Sequence, residues 1–129
     1  MNYTSKGVKG LKQFLCKVPE RLEISEEDIC KILGCSKEKY ESLKGLESWP
    51  VEILYRGYIF FGTSLGLGAM FGEGFPKNDY TKSAKTERDF IKAKNPRLGD
   101  KSLLKIMTES PDGLMLVSDY VLGLRGLPD

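Results

Sequence analysis

Residues 57–72, GYIFFGTSLGLGAMFG, form a sixteen-residue run without a charge, closed off by Arg56 and Glu73. A run this apolar has to leave water, inside either a protein or a membrane. Sixteen helical residues rise roughly 24 Å, short of the ~30 Å hydrocarbon core of a bilayer. The Gly62/Gly66 spacing mimics the small-residue pairs of membrane helix dimers. The length nevertheless points to a central helix buried within a protein. Its five glycines, at 57, 62, 66, 68 and 72, each weaken interior helicity by roughly 1 kcal/mol relative to alanine. Glycine retained in a buried helix implies that another backbone comes close.

The remaining segments read as helices that cover this one. Lys6 to Val18 carries Val8, Leu11, Phe14, Leu15 and Val18 at helical spacing, and Pro19 is expected to end that helix. Ser25, followed by Glu26, Glu27 and Asp28, is a helix start, with Ile29, Ile32 and Leu33 inward and Gly34 as the stop. Ser36 caps a second short helix through Leu43, with Tyr40 and Leu43 inward, and Gly45 ends it. Trp49-Pro50 opens the long helix, which runs to about Phe71. Asp79 caps the next, through about Lys94, with Ala84, Phe90 and Ile91 as its apolar contacts. Asn95-Pro96 stops that helix, and Ser102 caps a short one from Leu103 to Met107. Ser110-Pro111-Asp112 starts the last, with Leu114, Val117, Val121 and Leu124 on one face. No segment alternates as a strand. The expected fold is all-α with six to seven helices: a helix-turn-helix-like region over 1–48 and a small helical domain over 49–129.

The charge total, +2, names no partner. Locally, residues 77–105 carry +5 and residues 109–129 carry −3, an asymmetry that suits docking and equally suits a solvated surface. There is no histidine, which removes the commonest general base and metal ligand. The carboxylates are scattered and read as solvated or capping. Three cysteines without a CxxC pattern read as reduced thiols in a cytosolic protein. Cys30 and Cys35 lie in apolar helical patterns, and Cys16, near Lys12 and Lys17, has no second feature to mark a nucleophile. The glycines from Gly66 to Gly72 lack the preceding strand that a dinucleotide fingerprint needs. The first residues, MNYTSKGVKGLKQF, show no signal-peptide core. The expectations are a cytoplasmic protein that is no enzyme, with no cofactor, no metal site and no membrane partner.

ISEEDICKILGCSKEKYESL, residues 24–43, fits a helix-turn-helix, with Gly34 at the turn and Cys30 small where the helices must approach. Bound to DNA, such a unit would present Ser36, Lys37 and Lys39 to bases, with Lys44 near phosphate. Glu38, Glu41 and the three acids that open the first helix oppose that electrostatically. The alternative is a helical hairpin that serves dimer packing.

NPRLGDKSLLKIM, residues 95–107, packs a helix stop, a tight turn and a helix start into one connection. Pro96 stops the preceding helix, Gly99 permits the sharp turn, Leu98 can plug the core and Ser102 caps the next helix. This run resembles the N-P-x-L-G-G corner of the Xre/MbcA/ParS toxin-binding domain of bacterial antitoxins. Phe90-Ile91 stands where that family often has Trp-Leu, and Asp100 replaces a glycine. LYRGYIFFGTSLGLGAMFG resembles the family's long helix, with Arg56 at its usual arginine and Met70-Phe71-Gly72 at its end. SPDGLMLVSDYVLGLRG resembles its last helix. The resemblance covers about residues 49–126 and, more loosely, 24–45.

The resemblance implies an all-α, often dimeric antitoxin of a type II toxin-antitoxin system. Its C-terminal domain would hold a cognate toxin, typically an NAD-degrading enzyme of the RES type, by occluding the active site. Its N-terminal region could bind operator DNA and repress its own operon. The toxin-contacting end carried over to this chain is Leu124, Arg125, Gly126, Leu127, Pro128 and Asp129. An ordinary frayed terminus is the competing description of that tail. A stand-alone helix-turn-helix transcriptional regulator is the alternative function.

Overall fold

The computed structural model describes residues 5–72 and 80–124, with side chains described over 7–68 and 86–124. Among the described residues the chain folds into α1 (Ser5–Arg21), α2 (Glu26–Leu33), α3 (Lys37–Leu43), α4 (Val51–Gly72), α5 (Tyr80–Lys92), a 3-10 turn (Pro96–Leu98), α6 (Leu103–Glu109) and α7 (Gly113–Leu124). The fold is all-α, with no strand among the described residues and an isolated bridge between Asn95 and Lys101.

The charge-free run forms α4, and α1, α2, α5 and α7 all pack on it. Leu54, Phe60 and Leu67 are fully buried along its length. Phe14 of α1 stacks on Phe61 at 4.5 Å between ring centres and meets Phe60 edge-on at 5.4 Å. The glycine reading needs correction. A Cβ on Gly57 would sit 2.5 Å from Leu11 Cδ2, so the close neighbour there is a side chain. A Cβ on Gly62 would meet nothing within 4 Å, and that position faces open space.

Pro19 does not end α1, which runs through it to Arg21. The missing amide hydrogen bond and ring clash cost about 3 kcal/mol in a helix interior. Beyond the proline, Leu22 and Ile24 are both 1% exposed. Burying such side chains contributes roughly 1.5–3 kcal/mol each, enough to carry the last turn past the proline.

Helices α2 and α3 are capped as the sequence indicates. The Ser25 hydroxyl accepts from Asp28 N at 3.1 Å, and the Ser36 hydroxyl from Lys39 N at 3.0 Å. Gly34 closes α2 at φ 75, where a residue without Cβ is the least strained. Cys35 follows in the turn and is half-buried, so it is not part of a helical face.

α5 ends at Lys92, two residues before the expected Lys94, and its proposed cap Asp79 lies outside the described residues, as does the Ala84 side chain. α6 extends two residues past the expected Met107. In α7, Leu114, Val117 and Val121 are buried, but Leu124 is 38% exposed, because the helix reaches its last turn there with no element packed over it among the described residues. One hydrophobic core runs from Val8 in α1 to Val121 in α7.

Candidate functional site

The corner after α5 is built by Asn95. Its side-chain oxygen accepts from Arg97 N at 2.9 Å, which caps the 3-10 turn that Pro96 opens. Its carbonyl accepts from Leu98 N at 2.9 Å and Asp100 N at 3.0 Å, and its own amide donates to Lys101 O at 3.1 Å. Its side-chain amide donates to the Tyr120 hydroxyl at 2.9 Å, which ties the corner to α7. Gly99 and Asp100 stand side by side in the left-handed region, at φ 70 and φ 62. Aspartate is one of the few residues with a side chain that tolerate this conformation. The Ser102 hydroxyl then accepts from Lys105 N at 3.0 Å and starts α6.

α7 is aimed by two further contacts. Gly113 lies so close to α6 that a Cβ would fall 1.8 Å from the Ile106 carbonyl oxygen. Arg56, from α4, donates through Nε to Ile32 O at 2.7 Å and through Nη1 to Pro111 O at 2.8 Å. One guanidinium thus holds the last carbonyls of α2 and the approach to α7 together. Lys101 Nζ and Glu109 Oε1, 2.6 Å apart, brace α6 against the corner.

The outward stripe of α7 is Met115, Leu116, Asp119 and Gly123, with Asp112 in the turn just before it, all exposed, and Leu116 at 61%. Beside it lies an open hollow of about 410 Å³, lined by Leu98, Gly99, Lys101, Ile106, Glu109, Leu116 and Val117. The corner therefore borders a hollow that mixes apolar side chains with the Lys101–Glu109 pair, beside the exposed Met115 and Leu116 of α7.

Of the residues expected to bind a toxin, Leu124 closes α7 and is partly exposed. Arg125, Gly126, Leu127, Pro128 and Asp129 lie outside the described residues. The residues expected to bind DNA stand in different settings. Lys37 and Lys39 are exposed at the start of α3, while the Ser36 hydroxyl is engaged as the helix cap. Lys44 Nζ is held by Glu26 at 2.7 Å and Glu41 at 3.1 Å, and it lies over the Tyr40 ring at 4.9 Å. The hydrogen bond to Glu26 leads the contacts that raise its pKa, so Lys44 stays a cation, paired with two carboxylates.

The three cysteines are free thiols. The Cys35 backbone amide donates to Cys30 O at 3.0 Å, and burial pushes the Cys35 thiol up to about 11. High thiol pKa values leave little thiolate, which fits packing better than nucleophilic chemistry. Among the described residues, no cluster of three or more His, Cys, Asp or Glu is placed to hold a metal ion. No helix among them is long and apolar enough to cross a membrane.

No protein-family model matches the chain, and neither does any curated protein or solved structure.

Three residues of weight carry no clear mark in the sequence. Gly113 is one, because glycine at a helix start is unremarkable until the backbone that crosses it is known. The Tyr120 anchor is a long-range contact with no local signature. Glu87 reads as one of the solvated or capping carboxylates, yet it is fully buried. Its Oε2 accepts from the Ser64 hydroxyl, and Arg21 Nη2 stands 3.9 Å from Oε1. The buried Thr63 and Ser64 of α4, inside the charge-free run, are the available hint that polar groups enter this core.

Proposed function

We propose that the chain is the antitoxin of a type II toxin-antitoxin pair, a cytoplasmic binding protein that neutralises a cognate toxin by blocking its active site. The observation that carries this reading is the left-handed pair Gly99–Asp100. The antitoxin corner that the sequence resembles has two glycines at these positions. Here the second is aspartate, and its backbone still takes the conformation that glycine serves. The departure from the motif in residue type is thus compatible with the same turn. Arg56 adds support, since its two carbonyl bonds give the arginine of the long helix a definite role, that of fixing where α7 begins. The exposed apolar face of α7 and the hollow beside it supply a surface for a partner. In this reading the toxin is an NAD-degrading enzyme of the RES type, and residues 124–129 reach its active site.

A role for DNA, in repression of the operon or as a stand-alone regulator, draws on Lys37 and Lys39 alone, because Lys44 is engaged by two carboxylates.

The test is co-expression with the product of the neighbouring open reading frame. The full chain is expected to restore growth, and a chain ending at Gly123 is expected to fold and to lose most of the rescue. Full rescue by the shortened chain sinks the active-site plug. Absence of any complex between the two full-length proteins sinks the antitoxin assignment itself.

A further inference from the structure

We propose that the hollow between α1 and α3, floored by Trp49, is a binding site for a small monocarboxylate with a flat apolar body. Such a site is independent of any role as an antitoxin. The residues that line it come from α1, α2, α3 and the segment that joins α3 to α4. The hollow is open and holds about 370 Å³, a volume within the range of small-molecule sites. Leu15, Tyr40 and Trp49 lie deepest, each no more than 3% exposed. Two aromatic rings and a branched aliphatic chain make a floor for a flat apolar body. Half-buried Lys12 and Glu26, with exposed Cys16 and Lys44, form the rim.

Two polar groups of this lining have nothing to bond. A buried tyrosine ordinarily finds a partner for its hydroxyl. The Tyr40 hydroxyl has none among the described residues. Burial, partly opposed by the Lys44 charge, pushes it up to about 12, so at neutral pH it is a hydroxyl able to donate. Lys12 forms no ion pair among the described residues. The other lining charges are engaged: Lys44 Nζ stands 2.7 Å from Glu26 and 3.1 Å from Glu41. What the hollow offers is therefore one ammonium and one hydroxyl, and a carboxylate has an oxygen for each. A phosphate dianion would find a single free cation and two acids nearby. A cationic ligand would meet Lys12 unpaired, with Glu26 already taken.

The floor is preformed. Trp49 Nε1 donates to Leu43 O at 2.9 Å, which fixes the indole, and Leu15 and Tyr40 belong to the core. A ligand loses little free energy in ordering such a site. Packing alone makes a different demand on Tyr40. A tyrosine that only fills the core does not need an unpartnered hydroxyl, and Tyr40→Phe would then change stability slightly and nothing else.

The experiment titrates the full chain with 3-phenylpropionate, and with 3-phenylpropanamide and 3-phenylpropylamine as its neutral and cationic counterparts. Trp49 is the one tryptophan of the chain, so its fluorescence reports on the floor. Cys16 is the exposed cysteine, and its rate of alkylation by iodoacetamide reports on the rim. The acid is expected to saturate the fluorescence change with a Kd on the order of 1 mM, and to slow Cys16 alkylation over the same range. The amide is expected to bind about tenfold more weakly, because it brings no charge to Lys12. Lys12→Met is expected to bind acid and amide alike. Tyr40→Phe is expected to weaken the acid by about tenfold while its urea midpoint stays or rises. Lys17→Met, at an exposed position outside the lining, is expected to bind as the wild type does. Circular dichroism establishes that each variant is folded. Absence of saturation by the acid overturns the proposal. So does equal binding of acid and amide by the wild type, or an acid affinity untouched by both Lys12→Met and Tyr40→Phe. Tighter binding of the amine overturns it too, since Glu26 would then be the recognising group.

Discussion

At the scale of single residues, two glycines show why identity alone does not tell a helix what it needs. Gly62 and Gly113 both lie in helices, and both cost intrinsic helicity. Around Gly62 there is open space, so Gly62→Ala is expected to stabilise the chain by about 0.5–1 kcal/mol, the propensity difference alone. Around Gly113 there is the backbone of α6, with the Ile106 carbonyl carbon 2.7 Å and its oxygen 1.8 Å from a Cβ. Backbone cannot swing aside as a side chain can. Gly113→Ala is therefore expected to destabilise by about 2 kcal/mol or more, despite the same gain in propensity. Paired urea unfolding curves for the two variants check both signs at once. Glu87 belongs at this scale too. Burial raises its pKa, while the Ser64 hydrogen bond and then the Arg21 charge lower it. An acid whose folded pKa lies above its unfolded value binds protons more tightly when folded. Stability then falls as pH rises from the ordinary carboxylate range through the folded value. Glu87→Gln keeps an acceptor for Ser64 and removes the titration. The variant is expected to lose that part of the decline and to exceed the wild type in stability at neutral pH. Denaturant midpoints measured from about pH 4 to about pH 8 decide it.

At the scale of elements, the sequence is most informative where a structure is made by neighbours in the chain. Caps are local: Ser25, Ser36 and Ser102 each accept from an amide three residues on, and each can be read directly. The corner is legible for the same reason, since Asn95, Pro96 and Gly99 act within a span of seven residues. Elements depart from their local signals where distant burial decides the matter. Pro19 is a local stop signal, overridden by the burial of Leu22 and Ile24. Leu124 continues an apolar pattern, but periodicity says which face a residue shares and not whether anything covers that face. The site divides along the same line. Its turn can be read in the sequence, whereas the Asn95–Tyr120 bond, the Gly113 crossing and the Lys44–Glu26 pair join residues whose meeting only the fold specifies. Lys44 is the clearest case: as a letter it is a cation available to phosphate, and in place it is held by two acids.

At the scale of the whole molecule, the question is whether the first 48 residues stand by themselves. Their apolar side chains say otherwise. Phe14 has its ring partners in α4, and Leu11 fills the space left by Gly57. The Tyr58 hydroxyl donates to Gly7 O at 2.6 Å, and Trp49 Nε1 donates back to Leu43 O at 2.9 Å. Arg56 spans the remaining distance, from the end of α2 to the start of α7. A fragment 1–48 would lose Phe60, Phe61 and Trp49 together and expose most of the buried faces of α1 and α2. At roughly 25 cal/mol for each Å² of apolar surface left in water, helices this short cannot hold together alone. The fragment is expected to show little helix by far-UV circular dichroism and poorly dispersed amide resonances. The full chain is expected to unfold in one transition by both fluorescence of Trp49 and far-UV signal. A cooperatively folded 1–48 fragment would mean that the N-terminal helices are an independent module, and that Arg56 joins two bodies rather than bracing one.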